Sequence, residues 1–185
     1  MVNQMKGKKP QILLHICCAP DSSAVYEQLR DNYTVIGYFH NPNIHPEEEY
    51  QKRLFEANRV ADKMKIQMEN SIYNPKSWFE SIKGLEQEPE KGKRCEVCFL
   101  HNLRAAAKKA TELDIPFFTT TLTISPHKKS SIIFSAGNTA SKEFGLTFLP
   151  LDFKKKEGFK RSLILSREMS LYRQKYCGCK FSMRK

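Results

Sequence analysis

The feature that most constrains this chain is an alternation. Short runs of β-branched and aromatic residues are each followed by a longer stretch with helical apolar spacing. Gln11–Cys17 reads as a buried strand and Ser23–Arg30 as a helix. Thr34–Phe39 is a second strand, and Glu47–Lys65 a long helix with Tyr50, Leu54, Ala57, Val60 or Ala61 and Met64 on one face. Pro46 and the acidic triplet Glu47 to Glu49 suit its positive N-terminus. Ile66–Met68 opens a third strand, and a small helix is predicted around Pro75–Lys83, before an exposed, mobile loop from Gly84 to Lys93. Cys95–Leu113 is helical, Phe117–Leu122 a strand, and Lys128–Phe144 a helix ending at Gly145, where a glycine C-cap belongs. Thr147–Leu151 is the last strand and Gly158 to about Tyr172 the last helix. Repeated β-then-α units imply an α/β fold: a doubly wound parallel sheet of about five strands, Rossmann-like, with right-handed crossovers. At 185 residues with 40% hydrophobic content, the chain (1–185) is expected to be a single α/β domain with a real core.

In such a sheet, ligands sit at the carboxyl ends of the strands. The first strand runs into Cys17-Cys18-Ala19-Pro20-Asp21-Ser22, a tight turn that Pro20 stiffens and in which Ser22 is expected to cap a helix starting near Ser23. The loops Tyr38 to Pro46 and Ser125-Pro126-His127 fall on the same rim.

The six cysteines occur only as close pairs: Cys17-Cys18, Cys95-x-x-Cys98 and Cys177-Gly178-Cys179. A domain of this size has no need of disulfides, and one redox C-x-x-C leaves two pairs unexplained. Metal binding explains all three. A structural zinc site takes four ligands, usually from two knuckles, and the vicinal pair is a poor chelate for one tetrahedral ion because adjacent side chains are expected to point apart. Six thiolates plus Asp21 suffice for a [4Fe-4S] cluster with a second metal ion beside it, read as iron.

Charge adds a partner. The chain carries 31 Lys and Arg against 20 acidic residues, and residues 151–185, the basic cysteine-bearing segment, hold eleven basic residues against Asp152, Glu157 and Glu168. A polyanion is the expected partner. The first ten residues hold Lys6, Lys8 and Lys9 without an apolar core, and no apolar run approaches the roughly 18 residues of a membrane span, so a cytoplasmic protein without a membrane anchor is expected.

Five stretches together resemble the cobalamin-independent epoxyqueuosine reductases of the QueH type. They are the Cys-Cys-Ala-Pro turn at 17–20, Asn41-Pro42-Asn43-Ile44-His45-Pro46 with Glu49-Tyr50, Arg94-Cys95-Glu96-Val97-Cys98, Thr123-Ile124-Ser125-Pro126-His127-Lys128, and Leu171 to Cys179. In that family the first motif often reads Cys-Cys-Ala-Pro-Cys, so Asp21 stands in a cysteine's place. The resemblance implies reduction of epoxyqueuosine to queuosine at the wobble position of a tRNA anticodon, by iron–sulfur chemistry fed from an external electron donor. On this reading Cys95, Cys98, Asp21 and one of Cys17 and Cys18 hold the cluster, while Cys177, Cys179 and the other vicinal cysteine hold the second metal, a Lewis acid for the epoxide oxygen. His40, Asn41, Ser125, His127, Arg161 and Arg173 are substrate-binding candidates, with His127 the candidate proton donor and Lys154 to Lys156 facing phosphate. Tyr38, Phe39, Tyr172 and Tyr176 are candidates for stacking a base.

Two other readings compete. Residues 17–22 align in spacing with the Ser-Gly-Gly-x-Asp-Ser loop of PP-loop ATP pyrophosphatases, some of which thiolate tRNA, although the Cys18 side chain stands where backbone must approach a pyrophosphate. A zinc-stapled RNA-binding module is the non-enzymatic alternative.

Overall fold

The computed structural model describes residues 9–183; Lys6, Lys8, Arg184 and Lys185, counted in the charge, lie outside them. Five strands, β1 (Gln11–His15), β2 (Thr34–Phe39), β3 (Gln67–Asn70), β4 (Phe117–Thr120) and β5 (Thr147–Phe148), form one sheet in the order β3-β2-β1-β4-β5. Every pairing is parallel, with Leu13 opposite Ile36 on one side of β1 and Phe118 on the other. Chain order reverses between β1 and β4, so the carboxyl end of β1 lies at the switch point where doubly wound sheets open a crevice.

Residues alternate between the two faces, as the twofold repeat of a strand requires. Ile12, Leu14 and Val35 pack with Val25 of α1 (Ala19–Leu29), Tyr50 and Ala57 of α2 (Glu47–Met64), and Leu165 of α6 (Gly158–Glu168). Leu13, Ile36 and Phe118 face the other way, onto Leu103 and Ala106 of α4 (Lys93–Glu112) and Ile133 and Ala140 of α5 (Ser130–Phe144). α3 (Pro75–Ser81) brings the buried Trp78 against Ile82 and Cys179, near the C-terminal segment.

Several boundaries differ from those read in the sequence. β1 ends at His15 and α1 begins at Ala19, with Cys18 as N-cap; Ser22 lies inside the helix and donates to the Ala19 carbonyl at 2.8 Å. Pro20 accounts for the early start, because its fixed φ and missing N–H suit the first turn of a helix. β4 gives way to a 3₁₀ turn at Thr121–Ile124, β5 is only two residues long, and α6 stops at Glu168. Gly145 does close α5 in the left-handed conformation, at φ 66°. The loop from Gly84 to Lys93 is wrapped around buried Arg94, whose Nη1 donates to the carbonyls of Leu85 and Glu86 at 3.3 and 3.0 Å and also to that of Glu88.

Candidate metal centre

Three strand ends are tied together where β1 stops. Ile16 N–H donates to the Tyr38 carbonyl beyond the β1–β2 ladder at 2.8 Å, and the Asn41 side-chain amide donates to the Ile16 carbonyl, also at 2.8 Å. Cys17 N–H then donates to Thr121 Oγ1 at 3.0 Å. These three backbone groups leaving the sheet thus find partners without a strand, which fixes the turn that carries the first thiols.

The Cys17 and Cys18 sulfurs lie 3.9 Å apart, and Cys17 Sγ is 3.5 Å from Asp21 Oδ2. The vicinal thiols, expected to point apart, therefore converge: extended backbone at the N-cap followed by a helical turn brings positions 17, 18 and 21 to one side. One donor atom from each lies within 4.8 Å of the others, the one such group of three among the described residues. The Thr121 hydroxyl donates to Cys17 Sγ at 3.1 Å.

The other four thiols come from the first turns of α4 and from the segment after α6. Lys91 N–H donates to Cys95 Sγ at 3.2 Å, and Asn102 Nδ2 lies 3.6 Å from Cys98 Sγ while also donating to Asn43 Oδ1 at 3.1 Å. Among the described residues the buried Trp78 indole N–H has no hydrogen-bond partner, and its proximity favours the Cys98 thiolate. Cys179 is buried behind it, against Trp78 and Ile82.

Two cavities adjoin these groups. The larger, of about 370 Å³, is lined by Asp21, Cys95, Cys177, His127, Lys128 and Arg173, among others. A smaller one of about 50 Å³ touches Cys17, Asp21, Asn41, Cys98, Lys128 and Cys177. Asp21, Lys128 and Cys177 border both, so the sequence-distant thiols meet around a shared wall. The larger volume falls in the range of about 300–1,000 Å³ usual for small-molecule sites.

Burial and mutual repulsion govern the charges. The Cys98 thiol is pushed well up by burial and by Cys177, Cys179 and Cys95. Burial also raises Cys95, and the Cys17 hydrogen bond, followed by burial, raises Cys18; Cys177 is exposed as a residue, and it is raised by desolvation of its sulfur among the neighbouring groups. Burial raises Asp21 as well, with Lys128 and Arg173 opposing. Burial acts to lower Lys128, yet Cys177, Cys17, Asp21 and Cys18 together carry it above its ordinary value. Deprotonating so many neighbouring thiols calls for a cation among them, and their softness selects a thiophilic metal. Lys128 is a fixed counter-charge that the sequence reading did not single out.

The substrate-binding candidates divide. Ser125, His127 and Arg173 line the larger cavity and Asn41 the smaller. His40 does not line either one: it stacks between Tyr38 and His101, at centroid distances of 5.8 and 6.1 Å. Arg161 lies on α6, its Nε and Nη2 each 2.8 Å from the Glu27 carboxylate. Tyr38 and Phe39 are core residues, the Tyr172 hydroxyl donates to Glu49 at 2.9 Å, and Tyr176 lines the larger cavity with its hydroxyl on the His45 carbonyl. Lys154 is engaged with Asp152 at 3.1 Å and with Ser130.

Fold and site together define a doubly wound α/β protein whose switch point carries a cavity walled by thiols. Residues 12–185 match the family model described as epoxyqueuosine reductase QueH, and the chain belongs to that family. The epoxyqueuosine reductase QueH of Streptococcus pyogenes is 39% identical over 185 residues, covering 97% of this chain and 72% of that protein. The one from Thermotoga maritima is 34% identical over 175 residues, covering 93% and 90%. Among solved structures, the U34-tRNA thiolase NcsA from Methanococcus maripaludis with its [4Fe-4S] cluster superposes with a TM-score of 0.60 at 12% identity. That likeness covers 99% of this chain and 64% of the thiolase and shows a shared fold.

Proposed function

We propose that this chain reduces epoxyqueuosine in tRNA to queuosine, using a [4Fe-4S] cluster and a second metal ion held by Cys17, Cys18, Asp21, Cys95, Cys98, Cys177 and Cys179, with electrons from an external donor. Family membership supports the reaction. The observation that carries the metal reading is that thiols from three distant segments, Cys17, Cys98 and Cys177, line the smaller switch-point cavity. The donor set fits: six of its seven groups are soft thiols, and Thr121 Oγ1, Lys91 N–H and Asn102 Nδ2 supply polar contacts to sulfur of the kind that tune clusters. When bound, an iron–sulfur cluster supplies electrons one at a time, two of which remove an epoxide oxygen as water with two protons.

The protein's own groups supply position and charge. Lys129, Arg173 and Lys175 are exposed at the mouth of the larger cavity and form no ion pair among the described residues, which leaves them for phosphate. Ser125 and His127 reach the cavity from the loop after β4, where an imidazole N–H can deliver a proton to the oxygen leaving carbon. Lys128 holds its positive charge beside Asp21 and the thiols, opposing the build-up of negative charge there. Among the described residues no helix is long and apolar enough to cross a membrane, and a tRNA substrate favours work in the cytoplasm.

The test is anaerobic reconstitution with iron and sulfide, followed by nucleoside analysis of epoxyqueuosine-containing tRNA treated with the protein and a strong chemical reductant. Conversion to queuosine is expected. Zinc as the sole bound metal, with no conversion, would point to an RNA-binding module, and tight ATP binding to a PP-loop enzyme.

A further inference from the structure

The segment carrying Cys177 and Cys179 has no ladder of its own. α6 ends at Glu168, and among the described residues only a 3₁₀ turn at Lys180–Ser182 follows. Its main-chain carbonyls must find partners elsewhere. Two consecutive ones find Arg53 of α2: Nη1 donates to the Cys177 carbonyl at 2.9 Å and Nη2 to the Tyr176 carbonyl at 3.2 Å. Arg53 is only 2% exposed, an unusual place for a cation, and its Nε donates to Glu49 Oε1 at 2.7 Å. Glu49 in turn accepts from the Tyr172 hydroxyl, and Glu56 accepts from Tyr172 N–H at 3.3 Å. Residues 49, 53 and 56 follow helical spacing, so one charged stripe of α2 faces the C-terminal segment where a solvated face would be read.

The fit around Gly178 is close. At φ +138° it takes a conformation that side chains rarely adopt, and an added Cβ would lie 3.0 Å from Arg53 Nη1 and 3.1 Å from Ile44 Cγ1. Its carbonyl accepts from His45 N–H at 2.8 Å. Arg53 also borders the smaller cavity, together with Cys17, Cys98 and Cys177.

We propose that Arg53, oriented by Glu49, is a positioning residue: its guanidinium fork takes the place of a strand partner and sets the direction of the Cys177 and Cys179 side chains. Two carbonyls and one carboxylate are held in fixed mutual geometry, which the planar fork of arginine can do and the single ammonium of lysine cannot. The consequence for metal loading rests on the thiol-centre reading above; the consequence for thiol placement does not.

The experiment measures alkylation of each cysteine in the metal-free, reduced protein by mass spectrometry, and iron per chain after reconstitution, for wild type, Arg53→Gln and Arg53→Lys. Arg53→Gln is expected to alkylate several-fold faster at Cys179, which is 8% exposed in the native fold, while Cys18, 1% exposed, stays protected. Arg53→Lys should fall between the two, and iron content should drop in the same order. Wild-type rates at Cys177 and Cys179 in Arg53→Gln would overturn the proposal. Equal loss of protection at Cys18 would also overturn it, since Arg53 would then only stabilise the fold as a whole. If Arg53→Gln does not accumulate as folded protein, Glu49→Gln, which keeps the guanidinium but loosens its anchor, is read by the same criteria. A wild type that takes up no iron would refute the metal reading while leaving the alkylation result to judge Arg53.

Discussion

Asp21 Oδ2 lies 3.5 Å from Cys17 Sγ, placing a carboxylate among thiols at the first turn of α1. A helix cap was one expectation for this neighbourhood, but the cap position belongs to Cys18, whose side chain makes no capping hydrogen bond. Asp21 is 8% exposed and faces both cavities.

As a metal ligand, Asp21 should matter to metal content more than to folding. Loss of a residue that merely orients a ligand costs about 10–100-fold in metal affinity or activity, so Asp21→Ala should cost at least about 10-fold in turnover. Asp21→Cys should retain metal with an altered absorbance spectrum. Iron counting and spectra of the two variants test this; wild-type iron content, spectrum and turnover in Asp21→Ala would remove Asp21 from the ligand set.

Phosphate recognition should lie at the cavity mouth. Replacing Lys129 and Arg173 with Gln should weaken tRNA binding and flatten its log–log salt slope by about 0.7–0.9 per lost phosphate contact. Arg161→Gln should leave binding unchanged, because that guanidinium is held by Glu27 on α6. Filter binding across a salt series distinguishes the two variants.

His15 makes stability depend on pH. It is fully buried, with Nε2 3.0 Å from the His40 carbonyl and Nδ1 2.9 Å from Thr120 Oγ1. A carbonyl only accepts, so Nε2 carries the proton and Nδ1 accepts from Thr120. Burial lowers its pKa to about 4, so on acidification the unfolded chain takes up a proton first. Native stability should fall as pH drops from about 6.5 towards 4, by about 3 kcal/mol in all from this group. Urea midpoints over that range should be less pH-dependent in His15→Asn than in wild type.

Gly137 tests the packing of α5 on β5. Alanine in a helix interior gains about 1 kcal/mol over glycine, but here its Cβ would lie 2.4 Å from the Phe148 ring, an overpacking that costs typically about 1–3 kcal/mol. Gly137→Ala should therefore be neutral to destabilising by about 2 kcal/mol in urea melts; a gain would mean that the ring moves aside freely.

The sheet and its helices were legible in the sequence because period-2 and period-3.6 apolar patterns are local, and β2 and α2 fall within a residue of where those patterns put them. The six thiols were legible as pairs for the same reason. Less visible was anything set by tertiary packing. Arg53 and Glu56 look like ordinary solvated helix residues until the C-terminal segment covers them. Lys128 gains its role only when the loop after β4 meets the Cys17 turn, and the convergence of Cys17 with Cys18 depends on α1 beginning at Ala19, one turn earlier than the Ser22 cap implied.

The most direct measurement counts iron and acid-labile sulfide per chain, and turnover of epoxyqueuosine tRNA in the same anaerobic samples, for wild type and Cys98→Ala. If the thiols around the switch-point cavity hold an iron–sulfur centre that carries the reduction, wild type should contain both elements and make queuosine, and Cys98→Ala should lose sulfide-bound iron and turnover together. Undiminished turnover in Cys98→Ala, or wild-type turnover without iron and sulfide, would contradict that claim.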